Sequence, residues 1–191
     1  MNKDQICYHT VMLIIIVQFS FSCLRDNNDN NYLADMLRAF QNERINIAGS
    51  WLLIEGTTKR ICSIDTILPP LVFYYGPEDC SDCAIAHLRD KTPLLKMSEK
   101  EGTFQVVFLF SPKPEDVKSI IEKISQLQPD YPVYIDVDGN INHEIIPSDV
   151  RFHTFLLDQD RHPYMVGNPL SSEKMMNVFR RAVSTHNDLK P

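Results

Sequence analysis

Leu71-Val-Phe-Tyr-Tyr75 is an unbroken β-favouring run, and Cys80-Ser-Asp-Cys83 begins five residues after it. A run without apolar–polar alternation suits a strand covered on both faces. Residues 81–99 then repeat apolar side chains at helical spacing, with Ala84, Leu88, Leu95 and Met97 on one side. Pro93 predicts a kink or break inside that stretch. A buried strand that runs into a helix opening on two cysteines restricts the chain to an α/β layout. It also restricts the chemistry, because a close cysteine pair suits redox exchange or metal binding.

The remaining elements follow the same layout. Tyr32–Ile45 places Leu33, Met36, Leu37 and Phe40 at helical spacing. Trp51–Glu55 reads as a short strand ended by Gly56, with Trp51 expected in the core or packed on the first helix. Phe104–Phe110 is a second buried strand, and Pro112 and Pro114 end it. The helix Glu115–Leu127 carries Val117, Ile120, Ile121 and Ile124 on one face. Pro132–Val137, His153–Leu157 and Pro163–Val166 are predicted strands. Ser171–Val183 closes the domain as a helix, capped by Ser171 or Ser172. This order predicts a central mixed sheet of about five strands flanked by helices, with a parallel half and a hairpin half.

The amino terminus belongs to a different class of sequence. Val11–Phe21 is almost wholly apolar but shorter than the ~20 residues a spanning helix needs. It fits the core of an export signal. Ser20-Phe21-Ser22-Cys23 follows, small residues and then a cysteine, and resembles a bacterial lipoprotein signal. The resemblance implies that Cys23 is acylated and becomes the mature terminus. The polar run Asp26–Asn31 reads as a flexible tether. The expected organisation is a signal peptide over 1–22, a tether over 23–31, a helix-and-strand extension over 32–60 and the α/β domain over 61–191. The expected place is the cell envelope, lipid-anchored, on a periplasmic or extracellular face, where disulfides persist. The net charge of −6 over 191 residues gives no basic footprint for nucleic acid.

A thiol exchanges with a disulfide only if it is exposed and partly thiolate. A cysteine at a helix amino terminus meets both needs, because unpaired amides and the helix dipole favour the anion. Cys80 is therefore expected to attack and Cys83 to resolve from a buried position. Glu78, Asp79 and Asp82 put three carboxylates around Cys80, and like charge opposes the thiolate.

With these pieces together, the chain resembles the thioredoxin superfamily, and within it the TlpA-type thioredoxin-like lipoproteins of Bacteroidetes. The carriers are Leu71–Tyr75, Cys80-Ser-Asp-Cys83, Tyr134-Ile-Asp136, and Thr154-Phe-Leu-Leu-Asp158 running on to Val166-Gly-Asn-Pro169. The resemblance implies a thiol–disulfide oxidoreductase without an organic cofactor. Its partners would be exported protein disulfides or dithiol redox proteins. It also implies a substrate groove walled by Phe152, His153 and Thr154 against the thiol pair. Three family positions differ here. Phe152 stands where the family has a cis-proline, and a non-proline cis bond costs about 3–4 kcal/mol, so a trans Arg151–Phe152 peptide is expected. Tyr74 stands at the buried acid and Asp79 at the tryptophan before the motif.

Two rival readings use the same residues. Cys80, Cys83 and His87 lie on one helical face and, with Cys62, would form a Cys₃His zinc set. His153 with the two thiols would instead suit copper(I). In the other rival, the fold is a non-catalytic binding or structural domain and the disulfide a staple. Elsewhere, Asp136-Val-Asp-Gly-Asn140 reads as a strand-ending turn, and Cys62 as a small buried residue.

Overall fold

The computed structural model describes residues 29, 31–65, 67–141 and 143–188. The segment read as an export signal, Cys23 and nearly all of the expected tether lie outside the described residues. The chain divides into Met1–Ala39 and Phe40–Pro191. Helix α1 covers 31–41, with Asp35 and Arg38 paired one turn apart at 3.0 Å. All that follows concerns the second unit.

The strands are β1 Trp51–Glu55, β2 Thr58–Cys62, β3 Pro70–Tyr75, β4 Gln105–Phe110, β5 Val133–Ile135, β6 Thr154–Leu157 and β7 Pro163–Val166. They form one mixed sheet in the order β2-β1-β5-β4-β3-β6-β7. The helices are α2 Ser81–Ala86, α3 Thr92–Glu101, α4 Val117–Leu127 and α5 Glu173–Asp188. The expected thioredoxin-like α/β fold is present, with seven strands rather than about five. The strand invisible in sequence is β2, Thr-Lys-Arg-Ile-Cys. It is an exposed edge strand, and charged side chains there discourage pairing with another chain. Its hairpin with β1 turns at Gly56, whose φ of 56° favours glycine.

The stretch 81–99 is three pieces: α2, a 3₁₀ turn over Leu88–Lys91, and α3. Pro93 lies in the first turn of α3, where a missing N–H costs no helical bond. Gly102, at φ 61°, ends α3 by donating its N–H to Ser98 O.

Apolar faces of these helices and of the 3₁₀ turn cover the sheet, burying Leu88, Leu94, Ile120, Ile124 and Phe179 in one core with Phe73, Phe108 and Val133. Trp51 is fully buried, as expected, and its indole N–H donates to Ile47 O at 3.0 Å. Strands β3, β4 and β5 run parallel, with Tyr75 opposite Phe110 and Phe110 opposite Ile135. Their carboxyl ends therefore lie side by side. The next residues keep the alignment, since Ser111 N donates to Tyr75 O and Asp136 N to Phe110 O, both at 2.8 Å. Loops gathered at the carboxyl ends of parallel strands are where open α/β sheets place ligands and chemistry.

Candidate functional site

Cys80 sits on that edge. After β3 the chain turns tightly: Asp79 N donates to Gly76 O, and Gly76 N donates back to Asp79 Oδ2 at 2.7 Å. The turn delivers Cys80 to the amino cap of α2, where its Sγ accepts from Cys83 N at 3.4 Å. Cys80 and Cys83 are joined as a disulfide, with Cα atoms 5.3 Å apart. Cys80 is exposed as expected, but so is Cys83, which corrects its expected burial. The reason is helical phase. Ala84, Ile85 and Leu88 take the core-facing positions, and 83 falls on the outer side.

Antiparallel pairing brings the opposite wall. Phe73 lies opposite Thr154 in β6, and one residue beyond, Tyr74 N donates to His153 O at 2.8 Å. His153 and Thr154 thereby line a groove of about 320 Å³ that also contains Cys80, Cys83, Tyr74 and Tyr75. Phe152 is buried, its ring edge-on to Phe40 at a centroid distance of 6.0 Å. The exposed apolar residue of this loop at the groove is Val150. The Arg151–Phe152 peptide is trans, as expected for a non-proline residue. A cavity of about 510 Å³ between α3 and the Leu127–Tyr131 segment is larger, but contains no thiol.

The three carboxylates around Cys80 each meet a cation from a distant part of the chain. Glu78 pairs with Lys113 at 3.0 Å, Asp79 with His153 at 3.0 Å, and Asp82 with Lys123 in α4. The expected opposition of like charge is thus partly compensated. The Glu78 and Asp82 pairs are exposed and weak. The Asp79–His153 pair is mostly shielded from water, with side chains 16% and 13% exposed.

His153 has a distinctive proton arrangement. Nδ1 faces the Asp79 carboxylate, and Nε2 lies 3.0 Å from Pro147 O. Both partners accept only, so satisfying both requires a proton on each nitrogen. Burial acts to lower the His153 pKa, but the Asp79 hydrogen bond and charge outweigh it and raise it above the ordinary histidine value. Burial likewise acts to raise the Asp79 carboxyl, yet bonds from His153 and Gly76 N–H bring it below the usual range.

Behind Tyr74 lies a second polar cluster. Tyr74 Oη is 2.6 Å from His143 Nδ1, and His143 Nε2 is 3.4 Å from Ser111 Oγ. Ser111 in turn donates to the buried Asp136 at 2.9 Å. With the serine proton spent on Asp136, Ser111 Oγ is left to accept from His143 Nε2, and in that tautomer the Tyr74 hydroxyl donates a hydrogen bond to His143 Nδ1. Asp136 also accepts from Asn140 N and Ile141 N, which closes the turn expected at 136–140. Burial, then the charges of Asp79 and Asp136, push the Tyr74 phenol above its ordinary range. No sequence signal marks His143, Lys113 or Lys123, because their partners lie 69, 35 and 41 positions away.

The geometry also bears on metal. Cys62 lies on edge strand β2, four strand spacings from β3, or about 19 Å at the usual spacing. It cannot join Cys80 and Cys83. It is a free, half-buried thiol rather than a fully buried one. His87 pairs with Asp90 at 2.7 Å, and both nitrogens of His153 are engaged. Among the described residues, no three His, Cys, Asp or Glu side chains gather as a metal-binding group.

No family model and no curated protein matches the sequence. Solved structures do. A candidate thiol:disulfide interchange protein DsbE from Chlorobium tepidum is 14% identical, with a TM-score of 0.48, over 74% of this chain and 98% of its own. An uncharacterized thioredoxin-like protein from Porphyromonas gingivalis is 13% identical, with a TM-score of 0.46, over 75% and 93%. A conserved protein of unknown function from Bacteroides fragilis is 14% identical, with a TM-score of 0.44, over 72% and 99%. The chain's own sheet order, with a Cys-x-x-Cys pair capping the helix after the parallel strand β3, makes its fold thioredoxin-like.

Proposed function

We propose that this protein exchanges disulfides with exported proteins from a lipid-anchored position in the cell envelope. The observation that carries the reading is the exposed Cys80 Sγ at the amino cap of α2, in a groove with Cys83 and His153. A reduced Cys80 thiolate attacks a substrate disulfide. A bond forms between Cys80 Sγ and one substrate sulfur, and the other substrate sulfur leaves as a thiolate and takes a proton from water. Cys83 loses its proton to water and attacks Cys80 Sγ, which closes the Cys80–Cys83 bond and releases the second substrate thiol. Two electrons pass to the substrate, and the reverse sequence oxidises it. Val150, His153 and Thr154 wall the groove against which the substrate chain lies.

Anchoring through Cys23 rests on the Ser-Phe-Ser-Cys sequence after the apolar run. It predicts that Cys23→Ser moves the protein from the membrane fraction to the soluble fraction. Retention of the variant on the membrane would count against acylation.

The test of exchange is turnover of a peptide disulfide by the reduced full chain. Cys80→Ser abolishes turnover and Cys83→Ser accumulates a mixed disulfide at Cys80. Wild-type turnover by Cys80→Ser would sink the mechanism. A reduction potential below about −300 mV would favour a structural staple instead.

A further inference from the structure

The groove loop and the thiol loop are tied together through one side chain. Residues 76–80 reach His153 through Asp79 Oδ2, and the loop that walls the groove reaches it through Pro147 O. Asp79 precedes the attacking cysteine and closes the turn that presents it, by accepting from Gly76 N. A neutral imidazole has a single N–H and can hold only one of these two acceptors.

We propose that His153 is a positioning residue for the Cys80–Cys83 pair. As an imidazolium it staples the thiol loop to the groove loop, and it holds that geometry only while both ring nitrogens carry protons. The proposal rests on the exchange reading above for its consequence, but the staple itself is a separate, observable property.

Other charged and titratable groups face this site from the surrounding elements. Asp79 and Glu78 approach from the thiol loop, and Asp149 acts on His153 from its own loop while bonded to Arg151. Tyr74 of β3 presents a ring edge-on to His153 at 5.4 Å. His143 bonds Tyr74 Oη, and Cys80, Cys83, His87 and Lys91 share the groove. Among the described residues, the ion pair on His153 is made by Asp79. The chemistry of exchange is unchanged by the staple, because His153 transfers no proton in it. Its effect is on where Cys80 sits when substrate arrives.

The test uses the reduced full chain and a peptide disulfide between pH 5 and 9. Exchange rates are divided by the thiolate fraction measured from ultraviolet absorbance, so that cysteine ionisation drops out. In parallel, amide exchange at Gly76 and Asp79 is followed by NMR and corrected for its intrinsic pH dependence. Wild type is expected to lose at least threefold in normalised rate across the His153 titration. Protection at Gly76 should fall at least tenfold over the same range. His153→Asn is expected to be slow at every pH, with no break. Identical normalised profiles for wild type and His153→Asn would overturn the positioning role. Constant protection at Gly76 would overturn the staple. A wild type that exchanges no disulfide at any pH would overturn the exchange reading and the positioning role with it, while the amide measurements still decide whether the staple exists.

Discussion

His143 and His153 both pack against the same phenol, Tyr74, and their partners give them opposite jobs. His143 meets a hydroxyl that can donate, so its Nδ1 can act as an acceptor. His153 meets a carboxylate and a carbonyl, so both its nitrogens act as donors. The two residues have the same side chain, and both lie in the connection between β5 and β6. The hydrogen-bond capacity of their neighbours sets the role of each ring. The thiol pair faces the cationic histidine, and the accepting histidine belongs to a buried cluster that ends at Asp136.

The contrast between the two histidines depends most strongly on Asp79. Asp79→Asn is nearly isosteric but removes the countercharge of His153. It is expected to cost about 2–3 kcal/mol at pH 5–6, as for loss of one partner of a shielded charged pair. The pH dependence follows from both partners. The raised His153 pKa contributes stability that is fully present below the ordinary histidine value of 6.5 and lost as pH rises through the folded value. The lowered Asp79 pKa contributes stability present above the ordinary 3.8 and lost as pH falls through the folded value. Urea denaturation should therefore find the gap between wild type and Asp79→Asn widest between these two values and narrower on either side. A gap that widens steadily toward pH 9 would contradict the assignment of His153 as the cation.

A smaller effect sharpens the other side. A Cβ at Gly76 would lie 2.9 Å from Tyr74 Oη and Cε1. Gly76→Ala must push the phenol aside, and so should part Tyr74 from His143. The expected cost is about 1–2 kcal/mol, in the range of modest overpacking. NMR should show the His143 Nδ1 shift moving while His153 keeps its signature. Unchanged His143 shifts in a stable Gly76→Ala protein would mean that the Tyr74–His143 bond is not the one that orients this ring.

The elements around the site were legible to differing degrees. Leu71–Tyr75 and Pro163–Val166 are strands as read, because an apolar run bounded by Gly or Pro has few alternatives. The position of Cys80 at a helix start was legible for the same local reason. β2 was not, because an edge strand may be polar on both faces, and Thr-Lys-Arg-Ile-Cys carries no apolar alternation. The exposure of Cys83 was missed because helical phase depends on which face meets the core, and a six-residue helix gives too few positions to fix it. The carboxylates near Cys80 were seen as an uncompensated cluster, since their cations come from the loop after β4, from α4 and from the loop before β6.

Local sequence suffices for the α/β order of elements, the strand-to-helix junction that carries Cys80 and Cys83, and the absence of proline at position 152. These are local properties, set by side-chain periodicity and backbone sterics within a few residues. The charge around Cys80, the hydrogen-bond partners of the two histidines, and the separation of Cys62 from the thiol pair come from the folded arrangement. Those depend on parallel strands ending side by side and on the β3–β6 register, which juxtapose groups 35–74 positions apart in the chain. Electrostatics and hydrogen bonding act over a few ångströms of space, and sequence distance does not measure that space.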